Sequence, residues 1–304
     1  MLKGLRDLAF VLIATTTVLF FLIRLTGDPA VVIAGEGATP AQIAEVSAAY
    51  GFDKSLVQQY LIYLWKLLHL DFGTSLADGQ PALGKALAAY PATLALAAMA
   101  IALNVAVSLP LGAWLGQSRG TGAKGVRVVL TVMQGFPGFV FALLLVNVFA
   151  VGLEWLPSVG YGGPETWILP TVSVVSFLAP KLTRVVEANT QAALGSNFVR
   201  TARSIGASEG EILRRHVLPN ALLGAVALIG SEIAFMLTGL VIIETIFAWP
   251  GIGWLLVRST LNLDFPVVQA VAFLMVIGVF LTNAATEAVQ ALLDPRLRTA
   301  ARPR

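Results

Sequence analysis

Six stretches of the chain are long and apolar enough to cross a bilayer as helices: residues 8–25, 92–117, 128–153, 167–186, 221–247 and 267–292. A helix needs about 20 mostly apolar residues to span ~30 Å of hydrocarbon. The second and third stretches carry no charge. The fourth holds Pro180, Lys181 and Arg184 toward one end, where long cationic side chains can snorkel to the headgroups. The first follows Lys3 and Arg6, as the apolar part of a signal peptide would. It runs into Arg24-Leu25-Thr26-Gly27-Asp28-Pro29, which offers no small-x-small cleavage site at the right distance, so a retained helix is predicted.

Two intervening segments carry helix signals of their own. Between the first two spans, Thr39-Pro40-Ala41-Gln42 has the capping-box pattern with proline at the first helical position, and Gly51 can end that helix. Ser55 then opens a second helix whose apolar face is Leu56, Val57, Tyr60, Leu61, Leu64, Leu67 and Leu68. Tyr60, Tyr63 and Trp65 suit a helix lying at a membrane surface. This loop packs over the helix ends, or it forms a docking platform for an external partner; the two are compatible. Between the fourth and fifth spans, Asn197 can cap a short helix through Ile205, which Gly206 terminates. Ser208-Glu209-Gly210-Glu211 reads as a full capping box opening a second helix to about Leu218, with Pro219 ending it. A helix–glycine–helix element over 195–220 is thus predicted, with Arg200, Arg203, Arg214 and Arg215 exposed. It is either a positively charged loop that happens to be helical or a rigid knob that fits a cytoplasmic partner.

Composition narrows the class. Of 304 residues, 57% are hydrophobic and 12% charged, whereas a soluble domain carries about 25% charged residues. A soluble enzyme is excluded. With no cysteine there is no disulfide, iron–sulfur cluster or thiol nucleophile. The net charge of +3 is no nucleic-acid footprint, because the cations follow topology. Lys3, Arg6, Arg119, Lys124, Arg127, Lys181, Arg184, Arg200, Arg203, Arg214, Arg215, Arg296, Arg298, Arg302 and Arg304 fall on one side. The other side has Lys54, Lys66, Lys85 and Arg258, with Arg24 at its rim. The positive-inside rule puts both termini in the cytoplasm, as an even number of spans requires.

At the 195–220 element the chain resembles a family, the inner-membrane permeases of binding-protein-dependent ABC importers. Their cytoplasmic motif runs E-A-A, three residues, Gly, nine residues, then I-x-L-P. Aligned on Gly206, Ala202, Leu218 and Pro219 match, whereas Arg200, Thr201 and His216 depart from the general consensus. The departures are similar to the dipeptide/oligopeptide/nickel branch, where a phrase like Phe198-Val199-Arg200-Thr201-Ala202-Arg203 is usual. Further phrases resemble that branch in order: Arg24 to Pro29, Leu70-Asp71-Phe72-Gly73-Thr74-Ser75, Tyr90-Pro91-Ala92-Thr93-Leu94, Glu244 to Gly253, Asp264-Phe265-Pro266, and Leu292-Leu293-Asp294-Pro295-Arg296. Leu263 stands where the branch often has arginine.

The resemblance implies an all-α membrane protein with six transmembrane helices of the type I ABC importer permease kind, both termini cytoplasmic. It would comprise a first helix over 1–27, an extracytoplasmic segment over 28–90, a five-helix core over 91–292 and a cytoplasmic tail over 293–304. It implies a non-catalytic subunit forming half the pathway of an ATP-driven peptide importer in a bacterial or archaeal plasma membrane. The implied partners are a homologous second permease, two cytoplasmic ABC ATPase subunits that bind ATP and Mg²⁺, and an extracytoplasmic substrate-binding protein. Arg200, Thr201, Ala202, Arg203, Gly206, Ala207, Ser208, Glu211, Leu218 and Pro219 would form the ATPase-coupling element. Nickel chelates, glutathione and sugars are the alternative cargoes, and an ion-gradient-driven secondary transporter is the rival mechanism.

Other candidate sites carry weaker signals. Gly79-Gln80-Pro81-Ala82-Leu83-Gly84-Lys85-Ala86 falls one residue short of a phosphate-binding loop, but it lacks the Ser/Thr for Mg²⁺ and follows no strand. A turn into a short interfacial helix is predicted there, so this chain binds no cofactor itself. His69 and His216, the only histidines, lie on opposite sides of the membrane and cannot share a metal. Gly112-Ala113-Trp114-Leu115-Gly116 permits close packing, against a helix of this chain or at a subunit interface. Asn104, Gln134, Glu232 and Asn283, with Asn147, are polar positions within spans and candidates for a translocation path. Glu232 is either that or a hydrogen-bonded packing residue, and Glu244 suits a structural role at the outer gate.

Overall fold

The computed structural model describes residues 2–25, 27–35 and 37–293. Thr26 and the tail from Asp294 on, including its four arginines and the Asp294-Pro295-Arg296 phrase, lie outside the described residues. In chain order the helices are α1 (Leu2–Leu25), α2 (Pro29–Ala34), α3 (Pro40–Tyr50), α4 (Leu56–Leu68), α5 (Ala82–Gln117), α6 (Thr121–Gln134) and α7 (Gly138–Leu145). They continue as α8 (Glu165–Leu194), α9 (Asn197–Ser204), α10 (Glu209–Ile212), α11 (Leu218–Gly239), α12 (Val241–Ile246), α13 (Ile252–Leu261) and α14 (Phe265–Leu293). Two π-helical turns, Val146–Gly152 and Leu213–Val217, extend α7 and join α10 to α11. Among the described residues no strand forms, only an isolated bridge between Thr74 and Pro81.

Helices α1, α5, α8 and α14 are each long and apolar enough to cross a membrane alone, and two bent pairs bring the possible spans to six. The uninterrupted third span over 128–153 is corrected: α6 and the α7 segment meet at 102°. Gly135-Phe136-Pro137-Gly138 explains the break. Pro137 supplies no N–H and drives Phe136 away from helical angles, while the flanking glycines add no helix propensity to oppose it. The fifth span is likewise divided, into α11 and α12. The short interfacial helix expected from the Gly79–Ala86 stretch is in fact the start of α5, which runs without interruption through Pro91 and Pro110.

The described residues fall into two compact units, one from the segments up to Ala92 with Pro250–Gly278 and one from Thr93–Trp249 with the part of α14 from Val279 on. In the first, Phe20 is buried between α1 and α4, with its ring 5.1 Å from Tyr60 and 5.3 Å from Tyr63. Thr17 and Tyr60 share a hydroxyl hydrogen bond of 2.6 Å, and the Arg24 guanidinium donates to Gln59 at 2.6 Å. The caps stand where the sequence places them: the reciprocal Thr39–Gln42 box on α3, Ser55 on α4 and a left-handed Gly51 after α3. Buried Asp264 accepts the Ser75 hydroxyl at 2.5 Å and the Leu76 N–H at 3.0 Å, tying the loop before α5 to the α13–α14 turn. Lys85 donates to Asp78 at 2.6 Å and to Ser75 at 3.0 Å. The Lys85 bond holds the Asp78 carboxyl below its ordinary range. The lysine of the phosphate-loop lookalike is therefore occupied in closing a turn.

The second unit is organised around α8. This helix is the least apolar of the four long ones and the most buried, because it packs on protein along most of its length. The G-x-x-x-G face of α5 meets it: a Cβ on Gly112 would lie 2.6 Å from the Thr183 carbonyl oxygen, and one on Gly116 2.6 Å from Thr190 Cβ. The motif thus serves a helix pair within this chain. Trp249, fully buried, packs on Tyr161 edge to face at 4.7 Å, and the Gly160 N–H donates to the Phe247 carbonyl at 3.1 Å.

Candidate functional site

The segment between α8 and α11 builds a compact projection from short helices. Along α9, Val199 and Ala202 lie three residues apart, on one helical face. Both are buried in a cluster with Ala193, Ile212 and Val217, against which Leu194, Ala207 and Leu213 pack. The cap is displaced by one residue from expectation. Asn197 is the first helical residue, and Ser196 holds the cap position, its hydroxyl donating to the Ala193 carbonyl at 2.5 Å. At the other end Gly206 has φ +87°, in the left-handed region. Its N–H donates to the Arg203 carbonyl and the Ala207 N–H to the Ala202 carbonyl, both at 3.1 Å, so the last carbonyls of α9 are satisfied.

Helix α10 is capped by Ser208, whose hydroxyl accepts the Glu211 N–H at 3.3 Å. The reciprocal half of the predicted capping box is absent, because the Glu211 carboxylate turns outward to Arg215 at 2.7 Å. Arg203 spans the Gly206 break with two bonds to Glu209, 2.7 and 3.0 Å long. That bond lowers the Glu209 carboxyl below its ordinary range and raises the Arg203 guanidinium. Pro219, read as a helix stop, does not end the helix. In a regular α-helix its ring would clash with the carbonyl four residues earlier. Here the π turn Leu213–Val217 precedes it, with the Leu218 N–H reaching back to the Leu213 carbonyl. That wider turn lets α10 run on into α11, and the axis bends by 42° further along, between Glu209–Leu222 and Gly224–Gly239.

The projection is therefore fixed at its base and exposed at its tip. Ile205 is 79% exposed beside Gly206, and Phe198 is 42% exposed. Arg200 and Arg214 are exposed, and neither makes an ion pair among the described residues. An apolar tip flanked by cations can seat in a partner groove with an acidic rim. From Glu209 the projection runs into α11 with no intervening loop. Of the predicted coupling residues, Ala202 is buried, Ala207, Glu211 and Leu218 are half-buried, and Arg200, Thr201, Arg203, Gly206, Ser208 and Pro219 are exposed.

The polar positions within the spans separate into two groups. Asn104 and Glu232 are buried and meet: the Asn104 amide donates to Glu232 at 3.2 Å. Ser108 donates to Asn104 at 2.8 Å and also reaches the Ala179 carbonyl at 3.3 Å, so α5, α8 and α11 share one polar knot. The second Glu232 oxygen has no hydrogen-bond partner among the described residues. Gln134, Asn147 and Asn283 are instead exposed. Glu244 is wholly buried and accepts the Thr93 hydroxyl at 2.6 Å. The sequence reading missed an exposed row on α11–α12, where Ser231, Thr238 and Thr245 stand seven residues apart with Phe235 and Ile242 between them. Their spacing was the available signal, since residues seven apart return to one helical face. Phe235 and Ile242 also line an apolar cleft of about 170 Å³ with Phe139 and Phe177.

Long apolar helices packed through small residues, with an amphipathic projection entering one of them, define a multi-pass membrane component. The fold is similar to that of the MetNI methionine ABC transporter solved in an inward-facing conformation, with TM-score 0.60, 18% identity, and 70% of this chain and 98% of that one covered. The family described as the binding-protein-dependent transport system inner membrane component matches residues 108–299, and its N-terminal companion matches 3–97. The chain belongs to this family. It is 32% identical over 291 residues to the glutathione transport system permease protein GsiC of Salmonella typhimurium, covering 94% of each chain. It is 33% identical over 298 residues to the "Putative peptide transport system permease protein BAB2_1050" of Brucella abortus, covering 95% of each. It is accordingly a permease subunit of a binding-protein-dependent ABC importer, in the peptide and glutathione branch.

Proposed function

We propose that this chain forms half the translocation pathway of an ATP-driven peptide importer and is worked by separate ATPase subunits through the 197–217 projection. The observation that carries this reading is the continuity of that projection with α11 across the π turn at Leu213–Val217. Phe198, Ile205, Arg200 and Arg214 seat on one ATPase, and closure of the ATPase pair on ATP drives the tip and, with it, α11. ATP and Mg²⁺ belong to those subunits. A homologous permease faces this one, and the exposed Ser231–Thr238–Thr245 row borders the path between them. Hydroxyls there offer hydrogen bonds to a peptide backbone without binding it tightly enough to hold it. Each bent pair counts as one span, so six spans leave both termini in the cytoplasm. The relatives' names support a peptide cargo, including glutathione, itself a tripeptide.

The test is to purify the tagged chain from native membranes in mild detergent and identify what accompanies it. A second permease and two ATPases are expected, with ATP hydrolysis stimulated by a co-encoded binding protein. Ile205→Glu should release the ATPases while leaving the two permeases paired. A chain that purifies alone and still drives uptake in liposomes without ATP overturns the reading in favour of an ion-gradient carrier.

A further inference from the structure

The first unit contains a second feature, a cavity of about 190 Å³ beside the end of α1. Its lining includes Arg24, Lys66 and Asp71, and none of these forms an ion pair among the described residues. Arg24 is committed on one side only: its guanidinium stacks 3.5 Å over the Phe20 ring and spends three N–H groups, two on Gln59 and one on the Phe20 carbonyl. A guanidinium has five N–H donors, so two remain for a ligand. Asp71 accepts the Gly73 N–H through one oxygen, leaving the other open. The left-handed turn at Gly51 presents Tyr50 and Phe52 to the same cavity, their rings stacked 5.9 Å apart and 8° from parallel. Two cations, one carboxylate and an aromatic pair together match a ligand carrying one anionic and one ammonium group.

The surroundings indicate what kind of molecule carries those groups. Arg24 closes the last turn of an apolar span, at the depth of lipid headgroups. Leu25 is 82% exposed and Leu68 78% exposed, and Leu22 is exposed one turn back on α1. Such leucines suit acyl chains and would be a poor border for a water-soluble ligand. We infer that this cavity binds the headgroup of a zwitterionic phospholipid, with its phosphate at Arg24 and Lys66 and its amine at Asp71 and the Tyr50–Phe52 rings. The site is independent of the projection and of ATP coupling, so it stands or falls separately from the importer reading.

The experiment is native mass spectrometry of the full-length chain in detergent, titrated separately with dioleoyl phosphatidylethanolamine, phosphatidylglycerol and phosphatidylcholine. Phosphatidylethanolamine should be retained best. Lys66→Gln should weaken phosphatidylethanolamine and phosphatidylglycerol alike, by about tenfold to a hundredfold, as expected for one lost charged hydrogen bond. Asp71→Asn should erase the preference for phosphatidylethanolamine over phosphatidylglycerol. Both side chains are exposed, and asparagine keeps an acceptor for Gly73, so folding is unaffected. Unchanged retention in both variants overturns the proposal. So does equally tight binding of soluble phosphoethanolamine, which would make the ligand a free phosphate ester, or displacement of the lipid by dialanine, which would make the cavity a peptide site.

Discussion

Replacing Gly206 tests the lever directly. Its φ of +87° is one that side-chain-bearing residues rarely adopt, yet an added Cβ would meet nothing within 4 Å. Any penalty is therefore backbone strain, about 1–2 kcal/mol for an L-residue held left-handed. The seam beneath is stronger: Val199 and Ile212 are both fully buried, each contributing ~1.5–3 kcal/mol. The strain should thus loosen the turn without dispersing the element. One to two kcal/mol shifts a two-state balance by roughly 5–30-fold, enough to leave the tip misdirected for part of each cycle. Asparagine tolerates left-handed angles, whereas β-branched valine does not. The expected order is Gly206→Asn near wild type, Gly206→Ala intermediate and Gly206→Val lowest in substrate taken up per ATP hydrolysed. Reconstituted complex in liposomes gives that ratio, with hydrogen exchange at Ala207 reporting the turn itself. Wild-type coupling in Gly206→Val, or equal loss in Gly206→Asn and Gly206→Val, refutes the reasoning.

Other perturbations read the remaining structure. Gly112→Ala and Gly116→Ala should each destabilise the detergent-solubilised chain by about 1–3 kcal/mol, because the new methyl has no room against α8; an unchanged melting temperature would contradict the close packing. Ala248 sits exposed at φ +49°, so Ala248→Gly should stabilise by up to about 1 kcal/mol, the relieved strain less the entropy glycine adds to the unfolded chain. Asn104→Ala should cost about 1–3 kcal/mol by leaving the buried Glu232 without its donor, while Glu232→Gln, which keeps an acceptor for Asn104, should melt close to wild type. The Arg203–Glu209 clasp depends on a carboxyl with a lowered folded pKa. Its contribution is fully present above the ordinary glutamate value of about 4.3 and is lost as pH falls through the lowered one. Exchange protection at Ala207, corrected for intrinsic rate, should therefore be constant from neutral pH down to about 4.3 and decline below it.

The apolar stretches disclosed nearly every long helix because lipid demands the same residue type at every exposed turn, and the caps on α3 and α4 were legible because Thr39, Ser55 and Gly51 act on groups a few residues away. The bend after α6 was missed, because residues 128–153 read as one apolar span and the signal lies only in the neighbours of Pro137. Pro91, Pro110, Pro170 and Pro180 all lie within unbroken helices. Pro137 breaks one because Gly135 and Gly138 flank it, and hydropathy does not register that bookkeeping of backbone hydrogen bonds. The Asn104–Glu232 pair spans 128 residues of sequence, and no local pattern announces it; a buried carboxylate mid-span signals only that some partner is needed.

Pro219 shows where local rules fail and why the failure concerns function. Proline after a short helix normally marks its end, and the 208–218 segment was read accordingly. What the rule omits is that one extra residue in the preceding turn relieves the clash, at the cost of the poorer hydrogen bonds of a π turn. A loop at this point would have been cheaper and would have absorbed any displacement of the tip. The chain instead retains Leu213–Val217 as helix, and the proposed coupling requires the projection and the start of α11 to move as one body. Inserting a glycine pair after Val217 should consequently leave the Val199–Ile212 seam and ATPase retention intact while abolishing uptake. Uptake that survived that insertion would show that the connection, although continuous, transmits nothing.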